Sequence, residues 1–435
     1  MTDPGAAPDR PLTRSDARTL VLAALGGALE FYDFVIFVFF TSVIAQLFFP
    51  PDTPDWLRQL QAFGLFAAGY LARPLGGILM AHFGDRSGRK RMFTLSVLLM
   101  AIPTLLIGVL PTYASIGYAA PLALLVLRIL QGAAVGGEVP GAWTFVAEHV
   151  PARRIGLACG TLTAGLTAGI LLGSLIATAV NTRFDAPEVL AWAWRIPFLV
   201  GGVFGMFAVF LRRLLSETPV FEEMRRRREL VAGMPLKVVL AGHRRAVIVS
   251  MLLTWVLTAA IVVVILMTPT LLQKLFGIPA ATALAANSVA TLALTLGCIA
   301  FGVLSDRFGA ARMLLFGCVA LMFATYALYY GIAHAPDRLF ALYALAGFCA
   351  GLTGVIPVLL VQAFPPAVRF SGISFAYNIA YAIFGGMTPL LVTLAMRTHP
   401  FAPAHYVAAL CLIGAGVAMF IGTRRSWAVL DAAAI

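Results

Sequence analysis

The feature that this sequence most lacks is charge. Of its 435 residues only 11% are Asp, Glu, Lys or Arg, whereas 61% are hydrophobic, and the mean hydropathy is +0.93. Soluble globular domains carry about 25% charged residues. A chain this poor in charge cannot be a water-soluble domain, so the composition predicts a membrane protein.

Cysteine is scarce as well, and the five cysteines lie singly in apolar runs, without the spacing of a metal site or a disulfide framework. No nucleophile, metal cluster or phosphate loop is visible, which disfavours a membrane enzyme. We therefore expect no metal and no cofactor. The formal charge of +12 does not indicate nucleic acid, because the bases lie in short loops beside apolar runs, where the positive-inside effect places them.

Apolar runs of membrane-spanning length are abundant. Twelve of them follow one another between residues 20 and 423, and roughly 20 apolar residues are enough to cross a bilayer. Most of the 31 Lys and Arg fall on one side when both termini are placed inside. The asymmetry predicts cytoplasmic termini, and we expect membrane lipid as a partner.

Two short motifs recur about half the chain apart, which indicates an internal duplication. A basic hairpin at 84–91 has a shorter echo at 302–312, and a Pro-Ala turn at 151–156 has one at 366–372. Two parallel halves with a site between them are a transporter architecture. The sequence thus predicts an all-α membrane protein of twelve transmembrane helices in two pseudo-symmetric six-helix bundles. The predicted divisions are a cytoplasmic tail at 1–19, a bundle at 20–215, a cytoplasmic linker at 216–244, a second bundle at 245–423 and a cytoplasmic tail at 424–435.

An ordered set of motifs covers nearly the whole chain. They lie at 26–34, 72–91, 128–132, 136–138, 194–198, 216–221, 369–372, 377–378 and 385–389. This set resembles the major facilitator superfamily and, within it, the metabolite:proton symporter family, whose members carry citrate, 2-oxoglutarate, shikimate, proline or betaine. The resemblance implies the major facilitator fold, and alternating access driven by protons.

Five charged residues lie well inside predicted spans: Glu30, Asp33, Arg73, Arg128 and Glu138. A charge at the bilayer centre costs about 2.5 to 3.5 kcal/mol, so each should face protein or a water-filled cavity. Glu30 and Asp33 are three residues apart and share one helix face. Two carboxyls that close cannot both ionise easily, so we predict Asp33 as the proton site, Glu30 as its modulator and Glu138 as a further coupling candidate.

Arg128 is the first candidate for substrate binding, because a guanidinium can hold a carboxylate with two hydrogen bonds. In the family that the chain resembles, this arginine is implicated in substrate binding or coupling. An ion pair of Arg128 with Asp33 that locks the helices is the structural alternative. Gln131, Tyr32, Tyr377 and Asn378 are the further substrate-binding candidates, whereas we expect Arg73 to serve helix packing.

Gating is assigned to the two hairpins, where acids and bases can form contacts between the halves and then release them. The gating candidates are Asp85, Arg86, Arg89, Asp306 and Arg307.

Together these features predict a proton symporter of the bacterial inner membrane that imports a small organic anion, such as a mono-, di- or tricarboxylate, and functions as a monomer. A symporter for a zwitterionic osmolyte or amino acid of the betaine or proline type is the nearest alternative. An exporter of small organic compounds is a further one.

Overall fold

The computed structural model describes residues 10–213, 217–227, 235–396 and 398–423, and within these ranges the regular structure is entirely helical. Ten helices are long and apolar enough to cross a membrane, and the bent pair Ala186–Ala193 and Arg195–Leu211, at 44°, makes an eleventh. The 33-residue helix Asp55–Ser87 is long enough to be a twelfth. By length and composition the described residues thus form ten or eleven spans, and Asp55–Ser87 lies where the sequence predicts a further one.

We number the spanning helices in chain order. They are α1 (Arg14–Phe39), α2 (Asp55–Ser87), α3 (Arg89–Val109), α4 (Ala119–His149), α5 (Ile155–Arg183), α6 (Arg195–Arg213), α7 (Arg244–Thr258, continued by Ala259–Met267 and Thr268–Phe276), α8 (Ala280–Phe308), α9 (Ala310–His334), α10 (Leu339–Ala350, continued by Gly351–Gly354 and Ile356–Ala363), α11 (Arg369–Ala380, continued by Tyr381–Gly385 and Gly386–Ala395) and α12 (Ala402–Gly422). Shorter helices lie at Thr41–Phe48, Tyr113–Ile116, Ala152–Arg154, Ala186–Glu188, Val189–Ala193, Pro219–Arg227, Pro235–Gly242, Pro336–Arg338 and Pro366–Val368.

Two spans of the second half contain π-helical turns. These turns cover Ala259–Met267 in α7 and Tyr381–Gly385 in α11. The two spans meet where the rings of Trp255 and Phe384 stack at 4.1 Å. Because π turns are rare and frequently mark functional sites, the middle of α11 is a place to look for one.

Both halves contain the same tight turn. It joins α2 to α3 at Gly88, with φ of 113°, and α8 to α9 at Gly309, with φ of 90°. Residues with a β-carbon rarely adopt this backbone conformation, so glycine fits both turns. We call the end of the molecule that carries these turns the hairpin end.

The halves pack together through α2 against α11 and α5 against α8. Small residues let the backbones approach, as expected for helices in lipid. A β-carbon on Gly156 would lie 2.3 Å from the carbonyl oxygen of Gly302, and one on Gly77 would lie 2.4 Å from the amide nitrogen of Asn378. The hairpin end is therefore closed between the halves.

Between the halves the chain forms the helices Pro219–Arg227 and Pro235–Gly242. Phe221 and Met224 are buried, while Glu223 pairs with Arg226 and Arg227 in an exposed position. The hydrogen bond from Arg227 and the charge of Arg226 hold the pKa of Glu223 below its ordinary value. This segment is thus a short amphipathic helix, and its position at the membrane surface stays a prediction.

Candidate functional site

The two hairpin aspartates each accept hydrogen bonds from a helix of the opposite half. Asp85 accepts from the backbone amide of Ser371 at 2.9 Å, and Asp306 accepts from those of Gly156 and Leu157 at 2.7 and 2.9 Å. The first amides of a helix have no partner within it and carry its positive dipole end. Each carboxylate therefore holds the start of a helix in the other half.

The predicted gating bases are placed differently. The exposed guanidinium of Arg86 lies 3.3 Å from His82, one turn back on the same helix, and Arg307 is exposed. Among the described residues, neither Arg86 nor Arg307 forms a hydrogen bond or ion pair with the opposite half. The side chain of Arg89 lies outside the described residues. A gating role for these three bases stays a prediction, and the observed links use backbone amides instead.

An ion pair between the halves was not predicted. Nη1 of Arg369 lies 3.2 Å from Oε1 of Glu148, whose side chain is fully buried, and the hydroxyl of Thr218 donates to Oε2 of Glu148 at 2.8 Å. The available signal was an acid near the end of α4, directly before the Pro-Ala turn whose echo carries Arg369. Sequence alone gave no reason to pair residues so far apart.

Glu217 was likewise noted only as part of a motif. Both of its carboxylate oxygens lie 3.3 Å from the backbone amide of Lys90, at the start of α3. A β-carbon on Gly88 would lie 2.4 Å from Oε2 of Glu217. The acid that begins the linker therefore anchors the first hairpin.

Inside the spans, all five charged residues are buried as predicted. Glu30, Asp33 and Arg128 are 0% exposed, and Arg73 and Glu138 are 1% exposed. All five belong to helices of the first bundle. Burying a charge is costly unless it is paired, so the partners of each residue indicate its role.

Asp33 lies in a notch of α6 formed by two glycines. A β-carbon on Gly201 would lie 2.4 Å from its Oδ1, and one on Gly205 would lie 3.2 Å from its Oδ2. Neither oxygen has a hydrogen-bond partner among the described residues. The alternative in which Arg128 pairs with Asp33 is therefore not what the structure shows.

Arg128 lies among residues of the first half. Its Nη1 donates to Gln131 at 2.9 Å, and the amide of Gln131 donates to the hydroxyl of Thr104 on α3 at 2.8 Å. Its guanidinium lies 4.2 Å from the ring centre of Phe37 and 5.3 Å from that of Phe34. These contacts fix the side chain between α1, α3 and α4.

Two other candidates also lie within the first bundle. The hydroxyl of Tyr32 donates to the carbonyl of Pro197 on α6 at 2.8 Å, and its ring packs edge-on against Phe204. Glu138 lies seven residues after Gln131 and therefore on the same face of α4. Its Oε1 has no hydrogen-bond partner among the described residues. The burial of Tyr32 is thus explained by packing, and the roles of both residues stay predictions.

Asn378 connects the halves near the middle of α11. Its amide donates to the carbonyl of Gly136 on α4 at 2.6 Å and to that of Ser374 at 2.8 Å. The carbonyl of Gly136 is free to accept because residue 140, which would normally donate to it, is a proline without an amide proton. The expectation that a mid-span amide has hydrogen-bond partners is confirmed.

Around Asn378, side chains of both halves form what we call the interface cluster. It consists of Tyr70 and Arg73 from α2, Trp143 from α4, and Tyr377, Asn378 and Tyr381 from α11. Nε of Arg73 lies 3.4 Å from Oδ1 of Asn378, and the ring of Trp143 packs edge-on against Tyr377 at 5.1 Å. Arg73 thus packs helices, as expected, but it does so across the halves.

These features define a class of protein. Two helical bundles meet at a closed end through matching aspartates, and a cluster of both halves lies between them near mid-span. Such a molecule can alternate access to a central site by rocking one bundle against the other.

Comparisons with known proteins agree that the chain is a transporter of this kind. The Major Facilitator Superfamily model matches residues 23–389, and the chain belongs to this superfamily of transporters. A protein of Staphylococcus aureus strain COL, provisionally named a proline/betaine transporter, is 33% identical over 93% of this chain and 88% of its own length. The glycine betaine/proline/ectoine/pipecolic acid transporter OusA of Dickeya dadantii is 30% identical over 93% of this chain and 83% of its own.

Solved structures agree on the fold. The proton:xylose symporter XylE bound to 6-bromo-6-deoxy-D-glucose superposes with a TM-score of 0.78 at 18% identity, covering 94% of this chain and 95% of that one. The inward open conformation of XylE from E. coli superposes with a TM-score of 0.64 at 17% identity, covering 96% and 99%. The predicted fold class and family are confirmed, and the protein is a transporter rather than an enzyme.

Proposed function

We propose that this chain imports a zwitterionic osmolyte or amino acid of the betaine or proline type together with protons. The observation that carries the proposal is the similarity over 93% of the chain to proteins named for proline and betaine transport. The organic anion that the sequence predicted first is less well supported than this alternative, because the relatives carry zwitterions by name. The interface cluster also suits a zwitterion, since aromatic faces attract ammonium groups.

Asp33 is the proposed proton carrier, with Glu30 one turn earlier as its modulator. A carboxyl group without a structural ion pair can gain and lose a proton without breaking a helix contact. Its packing against the glycines of α6 gives a change in its charge a direct route to another helix of the first bundle. Coupling requires that the proton and the substrate both favour the closed form over the open one.

Alternating access is proposed to use the hairpin end as the cytoplasmic gate, with Asp85 and Asp306 holding it shut. In this arrangement the protein spans the inner membrane of a bacterium, and both of its termini lie in the cytoplasm. A functional monomer remains part of the proposal.

The test is uptake into proteoliposomes that contain the purified full-length chain. Radiolabelled glycine betaine, proline, citrate and 2-oxoglutarate are offered with an inward proton gradient, with and without a protonophore. We expect accumulation of betaine or proline above the outside concentration, and its loss with the protonophore. Accumulation of citrate or 2-oxoglutarate instead would restore the organic-anion function, and betaine accumulation that survives the protonophore would exclude proton coupling.

A further inference from the structure

The guanidinium of Arg73 is a cation buried at the contact between the two halves. It is 1% exposed, and no carboxylate among the described residues lies within ion-pair distance of it. Its Nη2 atom has no hydrogen-bond partner among the residues that the structure describes. Because an unpaired buried charge is costly, this site lacks a component that an anionic group would supply.

Three tyrosine rings surround the same guanidinium. Its carbon lies 4.4 Å from the ring centre of Tyr381, 5.3 Å from that of Tyr377 and 5.5 Å from that of Tyr70. Distances below about 6 Å are those at which an aromatic face attracts a cation. The cluster therefore combines an anion receptor with aromatic faces that suit a cation.

We propose that the interface cluster is the substrate site, in which Arg73 binds the carboxylate of the zwitterion and the tyrosine faces bind its ammonium group. This inference rests on the proposed function and names the residues that carry it out. A guanidinium binds a carboxylate through two parallel hydrogen bonds. A quaternary ammonium has no proton to donate, so an aromatic face can attract it where a neutral hydrogen-bond acceptor cannot bind it through a hydrogen bond.

The placement between the halves fits this role. Arg73 and Tyr70 belong to the first half, whereas Tyr377 and Tyr381 belong to the second. A ligand bound to both sets would favour the form in which the halves are together, which is what coupling requires. By contrast, the contacts of Arg128 described above all lie within the first half.

A route to the site passes the pair formed by Tyr70 and Tyr381. Their rings stack across the halves at 5.7 Å with planes 9° apart. Both residues lie one turn from Arg73 or Asn378, on the side away from the hairpin end. The pair therefore covers Arg73 from that side, and the π turn of α11 begins at Tyr381 itself. Entry of substrate would separate these two rings.

The experiment compares two ligands of nearly the same shape. Glycine betaine carries the ammonium group, and 3,3-dimethylbutanoate replaces its nitrogen with carbon. Binding of each to the purified full-length protein is measured by calorimetry for the wild type and for Tyr381→Phe, Tyr381→Leu and Arg73→Gln. We expect the wild type to prefer betaine by about tenfold, because the neutral analogue loses the cation–ring attraction.

The variants separate the two parts of the site. Tyr381→Phe keeps the aromatic face and should retain the preference, whereas Tyr381→Leu should reduce it to about twofold. Arg73→Gln should weaken both ligands by at least about tenfold, because both carry the carboxylate. Tyr329→Leu is the matched control, since Tyr329 is a buried tyrosine of the second half that contacts Thr268 outside the cluster. It should leave both affinities unchanged.

The inference is overturned if Tyr381→Leu binds both ligands with wild-type affinities, or if Arg73→Gln does. It is also overturned if the wild type binds both ligands equally, a comparison that needs no variant to fold. Failure of the proposed function looks different, because the wild type would then bind neither betaine nor proline and would bind a di- or tricarboxylate instead.

Discussion

The duplication is visible in the contacts at the hairpin end but not in the charged residues at the middle of the membrane. At the hairpin end, Asp85 and Asp306 make the same contact twice, each with the first amides of a helix in the other half. In the middle, every charged residue predicted within a span lies in the first half. The comparison indicates that the two halves share the contacts that join them at the hairpin end, whereas the buried charges are concentrated in one half.

The largest effect that would test this division is expected at Asp33. Asp33→Asn should lower concentrative uptake driven by a proton gradient at least about 100-fold, because the amide cannot carry the proton. Exchange of labelled for unlabelled substrate without a gradient should persist. Proteoliposome uptake and counterflow measure the two processes, and Asp337→Asn, at an exposed position, is the matched control. Retained uphill uptake in Asp33→Asn would assign the proton to another group.

A smaller and symmetric effect is expected at the hairpin end. Asp85→Asn and Asp306→Asn each weaken a charge-assisted contact with a helix start, which should shift the balance from closed to open about tenfold. Spin labels at the exposed positions Ser87 and Arg312 would report the separation of the hairpins. A shift in only one variant would show that the two aspartates are not equivalent.

Loss of the ion pair between Glu148 and Arg369 should shift the equilibrium between the closed and open forms of the hairpin end by a few fold. Glu148→Gln keeps a hydrogen-bonding side chain of the same shape and loses only the charge. The same spin-label pair measures the result. An opening as large as that of Asp85→Asn would place the ion pair on a par with the repeated aspartate contacts.

The smallest expected effect is a difference in stability between the two glycine turns. Gly88→Ala and Gly309→Ala both force alanine into a conformation that costs about 1 to 3 kcal/mol. Only at Gly88 would the new methyl group also meet Glu217, at 2.4 Å, whereas at Gly309 nothing lies within 4 Å. Thermal unfolding should therefore give a lower Tm for Gly88→Ala. Equal values would mean that Glu217 moves aside freely.

Much of the first-half chemistry was predictable from the sequence, because a charge inside an apolar run is conspicuous. All five such residues proved to be buried. Their partners were not predictable, since the alternative pairing of Arg128 with Asp33 depends on how α1 and α4 are rotated about their axes. A rotation of one residue, or about 100°, moves a side chain to another neighbour.

The contacts between the halves were the least predictable. Glu148 and Arg369 are 221 residues apart, and Arg73 and Asn378 are 305 apart. The link from Asn378 to Gly136 depends on a carbonyl that a proline leaves unbonded. Each residue type was visible in the sequence, but nothing local indicated which of them meet.

The sequence by itself determined which runs of the chain form helices, the duplication and the positions of the hairpins, because hydropathy and turn chemistry are local properties of the chain. Tertiary structure alone decided that Asp33 faces glycines rather than Arg128, and that Arg73 reaches Tyr377 and Tyr381 of the second half. The physical reason is that burial in lipid requires a helix at each apolar run, while the choice of neighbours follows from how twelve helices pack together.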